Sequence, residues 1–199
     1  MINLDPTFTE LDHRYTDDAG NVYPSTTTII DEWWPVDKKW FAKNPGAATR
    51  GTEIHAMTAM MDRMRLSSED AAVMNPDYVM YLKAWSAFSQ THVDQYLWIE
   101  QRFIAEILGY AGTVDRIAQM STGELAVIDI KTGAKQPYHE LQLGAYGVAA
   151  KLAGINVEAA ATVHPTVSGN YSIVEYDLPR AMTAWKALMQ WVNYRGSMK

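Results

Sequence analysis

Asp115 and Asp129 stand at equal distances on either side of Thr122, which lies within Ser121-Thr122-Gly123, a run with the composition of a tight turn. The flanking stretches, 112–120 and 125–130, are rich in β-branched residues and read as the two strands of a hairpin, with the aspartates opposed across it. Opposed residues bring their Cβ atoms to about 4.5–5.5 Å, and residues two apart on a strand share a face. Asp115, Asp129 and Lys131 are therefore expected on one patch. Two carboxylates so close, flanked by Val114, Ile117, Val127, Ile128 and Ile130, do not both ionise without compensation. A divalent cation supplies it, and oxygen ligands suit magnesium or manganese better than zinc. Such a cation makes hydroxide from water and clamps a phosphoryl oxygen, with Lys131 placed to stabilise developing negative charge or to orient the water. On spacing alone, a surface hairpin with an Asp–Lys pair worth at most about 1 kcal/mol explains the pattern equally well.

The rest of the chain supplies the layers such a hairpin needs. Residues 13–23 read as a small hairpin around Asp17-Asp18-Ala19-Gly20-Asn21, and Ser25 is placed to cap a helix over 26–34. Trp33, Trp34, Trp40 and Phe41, interrupted by Pro35, form an aromatic cluster that is either a lid over the core or a stacking wall for a substrate. Ile54, Met57, Met61 and Met64 give helical spacing over 47–65, and Ser67-Ser68 ends that helix or caps a short successor. Val79, Leu82, Trp85 and Phe88 form the core stripe of a helix over 76–89. Stretches 96–107, 112–120 and 125–130 predict a three-stranded antiparallel meander. A helix over 137–152, strands over 157–164 and 171–176, and a final helix from Pro179 to about Tyr194 follow.

The alternation of strands and helices makes the fold class α/β, a mixed central sheet flanked by helices, with an N-terminal hairpin and helical region. At 199 residues the chain is read as a single domain: 12–90 for the hairpin and helices that carry His55, 92–178 for the sheet and its helix, and 179–195 for the last helix. The absence of cysteine excludes disulfides, thiolate zinc sites, iron–sulfur clusters and a cysteine nucleophile, and makes a reducing cytoplasm the expected compartment. No signal peptide or membrane span is expected. A net charge of −6 excludes a uniformly basic nucleic-acid coat protein, so any contact with DNA must come from a local patch, for which Arg102, Arg116, Lys135 and Lys151 are candidates.

Five short motifs occur in order: Gly51-Thr52-Glu53-Ile54-His55, Glu100 within Trp98-Ile-Glu-Gln-Arg102, Gly112-Thr-Val-Asp115, Asp129-Ile-Lys131-Thr-Gly133, and Gln142-Leu-Gly-Ala-Tyr146. Together they resemble the RecB-like branch of the PD-(D/E)xK nuclease superfamily, over about residues 12–180. His13-x-Tyr15 and Tyr23-Pro-Ser-Thr-Thr are similar to the opening of phage-type members. The resemblance implies a restriction-endonuclease-like core. It implies that Asp115, Asp129, His55 and the Ile130 carbonyl hold Mg2+ or Mn2+, as one or two ions, and that Lys131 is the catalytic lysine. Glu100 either supports the metal through water or is an ordinary strand residue. Gln142 and Tyr146, four apart on one helix face, are implied to hold the substrate backbone or the lysine. Arg50 and Thr132 are further candidates for substrate contact, Arg50 being either a ligand of a DNA or terminal phosphate or an ordinary solvated arginine.

The activity implied is metal-dependent hydrolysis of DNA phosphodiester bonds, in the leading reading by an exonuclease of phage or mobile-element recombination, working with a recombination or annealing partner. The alternatives are an endonuclease on flaps, branches or single strands, and a non-catalytic DNA-binding module of the same fold. The missing cysteines exclude the relatives that carry an iron–sulfur staple, and the length leaves no room for a helicase motor, so a stand-alone nuclease is expected. His13, His92, His139 and His164 match no catalytic motif.

Overall fold

The computed structural model describes residues 1–9, 14–34, 44 and 46–197, so the expectations for His13, Pro35, Trp40 and Phe41 fall outside the described residues. Strands β1 (Ile2–Leu4), β2 (Thr7–Thr9), β3 (Arg14–Thr16) and β4 (Val22–Tyr23) open the chain, followed by helices α1 (Thr26–Trp33), α2 (Ala47–Met64) and α3 (Ser68–Ala71). A 3-10 turn over Pro76–Tyr78 leads into α4 (Val79–His92), then β5 (Val93–Ala105), β6 (Tyr110–Met120), β7 (Leu125–Ile130), α5 (His139–Leu152), β8 (Ala159–Pro165), β9 (Tyr171–Tyr176) and α6 (Leu178–Gly196).

Local chemistry sets the helix starts. The Ser25 hydroxyl accepts from the Thr28 amide at 3.0 Å and caps α1. Ser67 and Asp70 close a reciprocal capping box on α3, which makes it a separate short helix. Asp177 caps α6, whose first turn holds Pro179. The central sheet has the order β1-β5-β6-β7-β8-β9, and β7 pairs with β8 in parallel while the other neighbours are antiparallel. A parallel pair needs a crossover, and α5 provides it. Strands β2, β3 and β4 form a separate small sheet that includes the expected hairpin.

Two apolar layers close the faces of the sheet. On one, Phe103, Tyr110, Val114, Ile117 and Val127 pack with Leu143, Val148, Trp185 and Met189 of α5 and α6. On the other, Ile54, Met57, Leu82, Trp85 and Phe88 of α2 and α4 cover Ala118, Ala126, Ile128 and Ile130. The expected stripe on α4 is thus core. Trp33 and Trp34 instead stand 37% and 50% exposed, so they are no lid over it. No described helix is long and apolar enough to cross a membrane.

Two glycines mark close approaches. A Cβ on Gly112 would lie 2.9 Å from Thr26 Oγ1 and 3.0 Å from the Phe103 ring, so this glycine lets the start of α1 press on β6. A Cβ on Gly144 would fall well within van der Waals contact distance of the Ala181 carbonyl oxygen, where α5 crosses α6. Alanine gains about 1 kcal/mol over glycine in a helix interior, whereas overpacking a fitted contact costs about 1–3 kcal/mol or more. Gly144→Ala is therefore expected to lower the urea midpoint with an unchanged slope; a midpoint at or above that of the natural chain would show that the helices separate at no cost.

Candidate active site

The hairpin has the expected register: β6 and β7 pair Arg116 with Ile128, Ile117 with Val127, Ala118 with Ala126 and Gln119 with Leu125. One step before the first of these pairs, away from the turn, stand Asp115 and Asp129, 5% and 0% exposed. The Ile130 peptide lies at their centre. Its amide donates to Asp115 Oδ2 at 2.7 Å, and its carbonyl oxygen lies 2.8 Å from His55 Nε2, which α2 lowers onto the end of the sheet. His55 Nδ1 in turn lies 3.4 Å from Asp115 Oδ2 and 3.5 Å from Glu100 Oε1. One ligand atom each from His55, Glu100 and Asp115 falls within 4.8 Å of the others, the spacing of a shared cation.

Asp129 continues the site toward α5. Its Oδ2 is 2.8 Å from Lys131 Nζ, yet neither buried oxygen takes a hydrogen bond of good geometry. Lys131 Nζ donates to Gln142 Oε1 at 3.0 Å, and Gln142 Nε2 donates to the Tyr146 hydroxyl at 2.8 Å. Gln142 and Tyr146 are both buried. The helix presents them to the lysine.

Burial opposes charge on His55, but Asp115 and Glu100 outweigh it and hold the imidazole at about 9. Burial, together with Asp129 and Glu100, raises the Asp115 carboxyl to about 7, against the pull of His55 and Lys131. Burial also disfavours charge on Lys131, and Asp129 and Asp115 more than restore it, so the ammonium is held charged. A carboxyl and an imidazole that both hold their protons more tightly than usual, beside buried Asp129 oxygens that take no hydrogen bond, fit a divalent cation.

The site opens into a cleft of about 830 Å3. Phe8 and Tyr15 of the small sheet and Ser25 to Thr27 at the start of α1 line one side, and Gly51, Thr52 and Ala56 of α2 line the other. Arg63 and Arg102 also line it, with the Arg102 guanidinium 4.8 Å from the centre of the Phe8 ring. Arg63 gave no motif signal. It sits eight residues after His55, where helical spacing returns close to the same face.

Not every expected residue joins the cleft. Of the expected site residues, His55, Glu100, Asp115 and Tyr146 line it, whereas Asp129, Ile130, Lys131, Gln142, Arg50 and Thr132 do not, although Thr132 Oγ1 lies 3.8 Å from where a Cβ on Gly51 would stand. Arg116 is corrected outright. It is fully buried and paired with Asp62 and Glu100, so it offers nothing to a DNA backbone. Lys135 and Lys151 are exposed but lie outside the cleft lining, as do Trp33 and Trp34. His139 is buried, and burial and the Lys131 ammonium push it down to about 4. His164 braces the turn after Lys131 by a 2.9 Å contact with the Gly133 carbonyl oxygen.

The family model of the PD-(D/E)XK nuclease superfamily matches residues 43–181, a span that includes all of the residues around Ile130. No curated protein matches the chain.

Proposed function

The chain belongs to the PD-(D/E)XK nuclease superfamily, and from that premise we propose that it is a metal-dependent deoxyribonuclease of the RecB-like branch, acting as an exonuclease on DNA in phage or mobile-element recombination. The observation that carries the reading is the convergence of His55, Asp115, Asp129 and the Ile130 carbonyl, with Lys131 alongside, where His55, Glu100 and Asp115 line the cleft. These groups would hold the cation, with Glu100 adjoining them. Bound there, a divalent cation supplies Lewis acidity to a phosphodiester and lowers the pKa of water. An imidazole in the set favours manganese over magnesium.

The chain's own residues do the rest. Lys131, held charged by Asp129 and aimed by Gln142, stabilises the charge that grows on the phosphoryl oxygens. Tyr146 fixes the amide of Gln142 and so the direction of the lysine. Arg63 and Arg102 supply positive charge to the strand in the cleft, the local patch that a chain of net charge −6 needs. The test is end-labelled linear DNA beside covalently closed circles, each with Mn2+, Mg2+ or EDTA. Metal-dependent loss of the linear form alone is expected, and cleavage of circles would move the chain to the endonuclease reading.

Metal affinity should depend on pH with a definite sign. Without metal, the His55 imidazole titrates at about 9 and the Asp115 carboxyl at about 7, and both must lose their protons to coordinate. Mn2+ affinity is therefore expected to rise from pH 6 to 9 by about tenfold per unit where one proton is released. In the metal-free protein the raised His55 stabilises the fold fully below its unfolded pKa of 6.5, and that stability is lost as pH rises through about 9. Calorimetric titration with Mn2+ in buffers of different ionisation enthalpy counts the protons. An affinity that is flat over this range would mean that neither group is a ligand.

A further inference from the structure

Resting on the proposed cation site, we propose that Arg116, anchored by Asp62, is a positioning residue that fixes the Glu100 carboxylate against His55 and Asp115 and so completes that site. The Arg116 guanidinium is wholly buried and every edge of it is engaged. Its Nε donates to Asp62 Oδ2 at 2.7 Å, one terminal nitrogen donates to Glu100 Oε1 at 3.0 Å and to the Asp115 carbonyl oxygen at 2.7 Å, and the other reaches Thr58 Oγ1 at 3.2 Å. Asp62 is itself fixed, because both of its oxygens accept from Trp85 Nε1 at 3.1 Å. The Trp85 and Tyr96 rings close over the cation, their centres 5.4 and 5.9 Å from it.

The residue at the far end of this chain of contacts is held in an unusual conformation. Glu100 lies inside β5 with φ 48°, a left-handed conformation that a non-glycine residue in mid-strand adopts only when its surroundings hold it. The ladder pairs Ile99 with Arg116 and Gln101 with Val114 but omits Glu100, opposite Asp115. The alternation slips there as well: Trp98 and Phe103 on β5, and Val114 and Ile117 on β6, are odd numbers of residues apart yet pack into the same apolar layer. Arg63 donates to the Ile99 carbonyl oxygen at 2.6 Å, just before the kink. The kink re-aims Glu100 toward His55 Nδ1, and Arg116 holds the same oxygen, Oε1, that faces the imidazole.

A buried guanidinium is a poor way to gain stability, since an apolar side chain of similar volume often does as well. Its forked geometry is what an apolar residue lacks. It spans Asp62, Glu100 and the Asp115 carbonyl at once, whereas lysine keeps the charge and loses the fork. Arg116→Lys therefore tests position at constant charge.

The experiment measures Mn2+ binding to the full metal-free chain, from the signal of free Mn2+ in electron paramagnetic resonance, for Arg116→Lys with Glu100 present and in the Glu100→Gln background. With Glu100 present, affinity should fall about tenfold to a hundredfold, the usual cost of removing a partner that orients a ligand. In the Glu100→Gln background it should change by less than about twofold, because nothing is left to orient. Equal losses in both backgrounds would reduce Arg116 to a support of the fold, and no loss in the first would overturn the proposal. If Arg116→Lys lacks the circular dichroism of the natural chain, Asp62→Asn is read in the same two backgrounds with the same expected pattern. Should Asp115→Asn and Asp129→Asn also bind Mn2+ as the natural chain does, the cation site itself is wrong. If those two lose binding while Arg116→Lys keeps it, only the positioning role fails.

Discussion

Asp129→Asn is expected to slow metal-dependent DNA hydrolysis by about a thousandfold or more while leaving the fold in place. Asparagine keeps the volume of the side chain and an oxygen for Lys131, which lies 2.8 Å from Asp129 Oδ2, so the packing around this fully buried residue is preserved. What is lost is a negative charge with unfilled lone pairs, the feature that asks for a cation. The metal-free variant should melt close to the natural chain, because one of the carboxylates crowding Asp115 has gone while Lys131 retains Gln142. Mn2+ should then add less to its melting temperature than it adds to that of the natural chain. A variant that hydrolyses DNA at the natural rate would remove Asp129 from the chemistry and the proposed reaction with it.

Lys131→Met separates holding the cation from using it. The ammonium lies among Asp129, Asp115 and Gln142 and is held charged there, so it is suited to stabilise negative charge rather than to accept a proton. Its loss should cost about a hundredfold to a thousandfold in the rate at saturating metal, the scale seen when one preorganised electrostatic contact is removed. Mn2+ binding should not weaken. It should tighten, because a positive charge that competes with the cation for Asp129 has gone. Single-turnover rates and binding curves taken together decide the matter: an unchanged rate would exclude Lys131 from the reaction, and weaker binding would mean that the lysine builds the site rather than acts in it.

Much of the site was legible because it rests on short-range periodicities. The symmetry of Asp115 and Asp129 about the turn needed only the two-residue period of strands, and the observed pairing of Arg116 with Ile128 follows it. Gln142 and Tyr146 needed only the four-residue return of a helix, and they lie hydrogen-bonded on one face. The fate of Arg116 needed one further use of the same rule. It shares strand parity with Ala118, which is core, so its side chain was bound for the interior. His55, Thr58 and Asp62 likewise recur at helical spacing along α2, and that stripe meets the site and the arginine behind it.

Other features had no local signal. Strand β1 is three residues long and acquires its identity by pairing Ile2 with Ala105 across the whole N-terminal region, a contact that no window of sequence contains. The left-handed Glu100 is a glutamate in a run of β-formers, and only the ring of contacts around it makes the kink tolerable. The aromatic residues Trp33 and Trp34 show the reverse case. Their composition suggested core, but they follow the buried Ile29 and Ile30 at the exposed end of α1.

A divalent cation is expected beside the Ile130 peptide, held by His55 together with Asp115 and Asp129. Electron spin echo measurements on the Mn2+-loaded protein test it directly, since a coordinated imidazole imprints nitrogen modulation on the echo. Modulation from one histidine nitrogen is expected, and it should vanish in His55→Ala. An echo without nitrogen modulation, or one that His55→Ala leaves unchanged, would contradict it.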